Sequence, residues 1–328
     1  MKKHLTPWST IGILAALVII ARGLSFFTES ESVLPSSAPA LEIPREMMFA
    51  GEIVPMQDVD VRERLDRELL VNTYWHSNTL LGFKRANRYF PIIEPILKKH
   101  GVPDDFKYLA LIESGLTNVV SPAGATGFWQ IMKATAQQYG LEVSKEIDER
   151  YHLEKSTEVA CVYLLDAKAK FGSWTAAAAS YNMGMGGLSK QMNRQKSNNY
   201  YDLLLNHETS RYVFRIIAVK EIYENPGRYG FKFSPSDLYV PVPTNQITIS
   251  PPIEDFSEFA LEQGISYKAL KIHNPWLREN FLKSGNQLSY KIEIPLNGYY
   301  RFGDADFSIS PLLEDAENLL EGADVENE

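Results

Sequence analysis

From Val59 to about Asn225 the apolar residues of this chain recur at helical spacing, and no long alternating strand pattern appears before about Phe231. A period near 3.6 gathers apolar side chains on one stripe, so this stretch must bury helix faces against one another, and the class expected is mainly α. Val61, Leu65, Leu69 and Leu70 make one such stripe. A Tyr/Phe/Ile-rich segment from Tyr89 to His100 makes the next, closed by Gly101, with Pro91 and Pro95 bending or starting that helix. Further helices are expected over 157–171, stopped by Gly172, over 174–181 and over 210–223. After Pro226 the texture changes. Residues 238–249 read as extended, 256–264 and 266–273 as helical, and 290–295 as a short strand, a small β-α-α-β unit.

The amino-terminal text bounds location. Lys2 and Lys3 precede an uncharged stretch from Leu5 to Ala21 whose densest apolar part is Ile11–Ile20, the composition of an export signal. It is near the lower limit for spanning a bilayer, and no small-x-small site follows closely. An uncleaved anchor is favoured over a cleaved signal. Either places the rest of the chain outside the cytoplasm, and the expectation is a periplasmic protein held in the inner membrane by residues 1–27. Residues 28–58, rich in Ser, Pro and Glu, read as a linker, 59–235 as the helical domain, 236–302 as the small domain and 303–328 as an acidic tail. The net charge of -8 argues against nucleic acid as partner and suits an uncharged polymer gripped by hydrogen bonds and aromatic faces. Cys161 is the single cysteine, which excludes an intrachain disulfide, and its apolar surroundings predict a buried thiol. The six His form no metal-binding pattern, and no metal or cofactor is expected.

Four segments carry chemistry. In the first, Phe106, Leu109, Ala110 and Glu113 fall at i, i+3, i+4 and i+7, so a carboxyl shares a helix face with core side chains, while Asp104 and Asp105 suit that helix's N-terminus. Burial raises a carboxyl pKa, as a general acid at neutral pH requires, although a Glu–Lys pair at a helix end is equally compatible with the face alone. The second, Ser121–Met132, combines Gly124 and Gly127 with Trp129 and Gln130, either a sugar-gripping loop or a glycine turn with a core Trp. The third sets Tyr181 and Asn182 at the end of the small-residue helix from Ala176. The fourth, Glu208–Val213, opens another helix and carries Tyr212.

Glu113-Ser114, the 124–132 loop, Tyr181-Asn182-Met183-Gly184 and Tyr212, in this order and spacing across 89–223, resemble the soluble-lytic-transglycosylase-type domain. The loop is in the Gly-x-x-Gly-x-Trp-Gln form, as Gly124, Gly127, Trp129 and Gln130. The resemblance implies a lysozyme-like catalytic domain of the goose-type lysozyme and lytic transglycosylase kind, acting on peptidoglycan glycan strands. Ser180 and Met183 depart from it, standing where the family has small Ala residues. The C-terminal unit is similar to a LysM-like wall-binding module through Ser266–Leu277 and Ile292–Pro295, but lacks the usual Gly-Asp-Thr-Leu opening.

The resemblance implies Glu113 as the catalytic acid and base, Ser114, Gln130, Met132 and Tyr181 lining the sugar groove, and Asn182 or Tyr212 supporting the substrate's N-acetyl group, with Tyr212 also bonded near Glu113. Hydrolytic glycosidases commonly use two carboxylates. The matched motifs supply one, which suits cleavage of the MurNAc-GlcNAc β-1,4 bond with 1,6-anhydro-MurNAc formation. A muramidase-type hydrolase on the same fold and a non-catalytic peptidoglycan-binding protein are the alternatives.

Overall fold

The computed structural model describes residues 40–296. The Leu5–Ala21 stretch, the start of the linker and the acidic tail lie outside the described residues. Among the described residues no helix is long and apolar enough to cross a membrane.

Helices dominate up to residue 224. They are α1 (Val59–Tyr74), α2 (His76–His100), α3 (Lys107–Ser114), α4 (Lys133–Gln138), α5 (Leu153–Phe171), α6 (Trp174–Met183), α7 (Met185–Gln195) and α8 (His207–Glu224). The stripe of Val61, Leu65 and Leu69 is fully buried where α1 packs on α8, whose own inner face is Val213, Ile216 and Ile217. Glu68, also buried, accepts from Arg211 Nε at 2.7 Å and Nη2 at 3.1 Å and ties the same two helices. The short α3 packs against both α2 and α8, and α6 against α5 and α8. Leu109, Ala110 and Ala176–Ala179 are fully buried at these crossings, the small side chains letting the backbones approach.

Several boundaries differ from expectation. The helix expected from Tyr89 runs instead from His76 to His100 with Pro91 and Pro95 inside it. Each proline removes one ladder bond, and burial of Phe83, Phe90, Ile93 and Leu97 along the same face outweighs that loss. Asp104 and Asp105 do not cap α3; they open a 3-10 turn, Asp104–Phe106. Asp104 pairs with Lys107 at 2.6 Å, and Asp105 accepts from Ala50 N at 2.6 Å and Lys220 Nζ at 2.8 Å. Part of the expected linker is ordered core. A hairpin of β1 (Met48–Phe49) and β2 (Glu52–Ile53) turns at Ala50-Gly51, and Met47, Phe49, Val54 and Met56 are buried. Glu52 accepts from the backbone N–H groups of Trp174 (2.6 Å) and Thr175 (2.9 Å), so the hairpin satisfies the N-terminus of α6.

The small unit has β3 (Thr244–Ile249) and β4 (Tyr290–Pro295) antiparallel, with Thr244 opposite Pro295 and Ile249 opposite Tyr290. Helices α9 (Phe256–Glu262) and α10 (Tyr267–His273) lie between them in sequence. Its core is Ile249, Phe256, Ala260, Leu270, Trp276, Leu277, Leu282, Tyr290 and Ile292, completed by Ile147 and Tyr151 from the helical part.

Candidate active site

Glu113 sits in the last turn of α3. The helix stops at Ser114 because Gly115 takes φ 60°, a left-handed conformation free of steric cost for glycine, and its N–H closes on Leu111 O at 2.8 Å. With Phe106, Leu109 and Ala110 fully buried on its face, the carboxyl is fixed from behind and half-buried itself. Glu113 Oε1 accepts the hydroxyl of Tyr212, which projects from α8 and is almost wholly enclosed. Burial holds the Glu113 carboxyl above the usual carboxylate range, and the Glu208 charge adds to this. The Tyr212 hydrogen bond and the Arg215 guanidinium pull the other way without cancelling it. Burial first, then the Glu113 charge, pushes the phenols of Tyr181 and Tyr212 well above the ordinary tyrosine range, so both stay protonated donors.

The 124–132 loop is joined to the end of α3 that carries Glu113. Thr126 and Ile131 bond to each other in both directions, at 3.2 and 3.1 Å, and narrow the loop to a tight turn. Gly127 has φ 81°, and a Cβ there would stand 2.1 Å from the Arg150 carbonyl oxygen, so a side chain cannot be accommodated. Gln130 adopts φ 48°, strained for a non-glycine residue; its Nε2 donates to Gly127 O at 2.8 Å and Val119 O at 3.0 Å, which holds that backbone. Ser114 donates to Phe128 O at 2.9 Å, and the Tyr181 hydroxyl donates to Trp129 O at 2.8 Å. Both side chains thus connect the loop to the helices around Glu113. Trp129 is fully buried with its Nε1 donating to Thr157 at 2.8 Å, so of the two sequence readings the core Trp is observed and the indole is no sugar platform. Met132, 45% exposed, stands at the end of the loop, before α4.

Asn182 is oriented at both ends. Thr209 donates to its Oδ1 at 2.7 Å, and its Nδ2 donates to Glu208 at 3.0 Å. Ser180 turns inward and donates to Ala177 O at 2.8 Å, while Met183 packs, partly buried, against the main core. Thus Glu113, Tyr181 and Tyr212 share one electrostatic neighbourhood, Ser114 and Tyr181 hold the loop, and Asn182 joins α6 to the first turn of α8. Sequence reasoning passed over Arg215, whose Nη2 also donates to Ile112 O at 2.8 Å, and Thr209. A signal was present: Glu208, Tyr212 and Arg215 fall at i, i+4 and i+7 on one face of α8, and Thr209 stands three residues before Tyr212.

The family description "Transglycosylase SLT domain" matches residues 90–204, which contain Glu113, the loop and Tyr181-Asn182. The chain carries a transglycosylase SLT domain. A second description, "Soluble lytic transglycosylase C-terminal LysM-like domain", matches residues 245–298, the β3-to-β4 unit. The fold is therefore a lysozyme-like SLT domain followed by a LysM-like domain. Among curated proteins, "Membrane-bound lytic murein transglycosylase D" of Escherichia coli (strain K12) is 30% identical over 243 residues, 71% of this chain and 52% of the relative. The protein of the same name from Escherichia coli O6:H1 gives the same figures. A "Putative tributyltin chloride resistance protein" of Alteromonas sp. is 28% identical over 121 residues, 36% of this chain and 58% of that protein. The chain spans about half the length of the curated relatives it matches.

Proposed function

We propose that this chain is a peptidoglycan lytic transglycosylase, cleaving the MurNAc-GlcNAc β-1,4 bond with formation of 1,6-anhydro-MurNAc ends. The observation that carries the reading is the half-buried Glu113 carboxyl, raised in pKa and bonded to the enclosed Tyr212 inside an SLT domain. Protonated Glu113 gives its proton to the leaving glycosidic oxygen as the C1–O bond breaks. The resulting carboxylate, supported by the Tyr212 hydroxyl and the Arg215 charge, then takes the proton of the C6 hydroxyl as that oxygen bonds to C1. Glu113 ends protonated and no water is consumed. The nucleophile belongs to the same sugar, which gives it a large proximity advantage. Glu208, the other carboxylate whose charge reaches Glu113, is engaged by Asn182. Ser114, Gln130, Met132 and Tyr181 form the wall of the sugar groove, and Asn182 presents its remaining amide capacity to the substrate's N-acetyl group. The basic start and apolar run at Leu5–Ala21, and the word "membrane-bound" in a relative's name, support a periplasmic protein anchored in the inner membrane.

Muropeptide analysis of sacculi treated with wild type and with Glu113→Gln tests this reading. Wild type should release anhydro-muropeptides and the variant none above background. Reducing-end products from wild type would favour the muramidase alternative, and no release at all would favour a non-catalytic wall-binding protein.

A further inference from the structure

One short segment, Glu146–Tyr151, touches both the loop beside Glu113 and the LysM-like unit. Arg150 and Asp148 on it are both buried, at 8% and 7% exposure. They pair in two places, Arg150 Nε to Asp148 Oδ1 at 2.9 Å and Nη2 to Oδ2 at 2.7 Å. The remaining guanidinium nitrogen, Nη1, donates to Gly124 O at 3.0 Å and Ile131 O at 3.3 Å, one carbonyl at each end of the loop. The carbonyl of Arg150 itself packs where a Cβ on Gly127 would be. On its other side the segment joins the small unit by backbone. Asp148 N donates to Trp276 O at 2.9 Å, Arg278 N to Glu146 O at 2.8 Å, and Ile147 bridges Leu277 while filling the small unit's core.

We propose that Arg150 is a positioning residue that fixes the 124–132 loop for glycan binding, and that the LysM-like unit braces it from behind through Asp148 and Ile147. A loop with two left-handed glycines and a strained Gln130 needs holds from outside, and a bidentate buried guanidinium is a rigid one. The carboxylate of Asp148 aims the guanidinium plane, and the backbone of the small unit aims Asp148. The LysM-like unit thereby contributes to the groove through this brace. The activity arm rests on the lytic reading above; the structural arm does not.

The test uses the full chain, with Arg150→Lys, which keeps the charge opposite Asp148 but loses the planar two-carbonyl grip, Arg150→Met, and Leu277→Ala on the far side of the brace. Peptide-resolved hydrogen–deuterium exchange and KM and kcat on soluble glycan strands are the readouts. In Arg150→Lys the amides of Thr126 and Ile131 should exchange roughly tenfold faster, the cost of one lost charge-assisted bond, while α5 and α6 keep their protection. KM should rise by a similar factor with kcat changing less than about twofold. Leu277→Ala should speed the same amides by a smaller factor. Unchanged exchange at 124–132 in folded Arg150→Lys, or faster exchange with KM unmoved, overturns the positioning role. No response to Leu277→Ala overturns the brace. If Arg150→Met does not fold, Arg150→Lys still decides. A wild type that cleaves nothing refutes the lytic reading, while the exchange data still judge the loop hold.

Discussion

Replacing Tyr212 with Phe removes one atom, the hydroxyl that donates to Glu113, and leaves the enclosed ring in place. That hydrogen bond favours the ionised carboxylate, so its loss raises a pKa that burial already holds high. A hydrogen bond to a charged group is worth about 1.5–3 kcal/mol. At about 1.4 kcal/mol per pH unit, the Glu113 pKa should climb by roughly one to two units. On the proposed mechanism, activity on glycan requires protonated Glu113 and falls as it ionises, so the alkaline limb of the kcat/KM profile would report this pKa in the free enzyme. Tyr212→Phe should therefore show lower activity with its alkaline limb displaced to higher pH. The assay is initial release of anhydro-muropeptides across a pH series at constant ionic strength. An alkaline limb that stays in place, or moves to lower pH, refutes the assignment of Tyr212 as the support of the Glu113 carboxylate.

Three further outcomes follow from the geometry. Because the folded-state pKa of Glu113 is raised, the native protein binds the proton more tightly than the unfolded chain; that stability is complete below the unfolded carboxyl value and is lost as pH rises through the folded one. Glu113→Gln should thus unfold at higher denaturant than wild type at pH 8 and lose that advantage near pH 4, as chemical denaturation at the two pH values would reveal. Gly127→Ala places a methyl against the Arg150 carbonyl at a left-handed φ, and should cost about 2 kcal/mol or more, read as a lowered Tm with loss of activity. The thiol of Cys161 is fully enclosed, and burial pushes its pKa up to about 12, so a thiol reagent at pH 8 should label the native chain only at the rate of unfolding and the denatured chain at once.

How much of this was legible in the sequence depended on how local the determining physics is. The stop of α5 at Gly172, the β4 strand at 290–295 and the face shared by Phe106, Leu109, Ala110 and Glu113 follow from spacing and single-residue preference, and the structure has them there. The β1–β2 hairpin was not legible. Two-residue strands carry no periodic signal, and what orders them is the distant fit of Phe49 into the core and of Glu52 onto α6. The start of α7 at Met185-Gly186-Gly187 reads locally as a break, yet Leu188 and Met192 are buried on its inner face and stabilise it. At the site, residue types marked Glu113, Tyr181 and Tyr212, but the hydrogen bonds of Ser114 and Tyr181 to the loop carbonyls, and of Arg150 across it, join residues far apart in the chain. No one-dimensional pattern encodes such pairings.

On the proposed mechanism the attacking oxygen is the sugar's own, and Glu113 handles both protons. Digesting purified sacculi in heavy-oxygen water and weighing the products tests it directly. The muramic ends should be one water lighter than a reducing sugar, free of heavy oxygen and absent with Glu113→Gln. Heavy oxygen incorporated at the moment of cleavage, with reducing ends as the primary product, would contradict it.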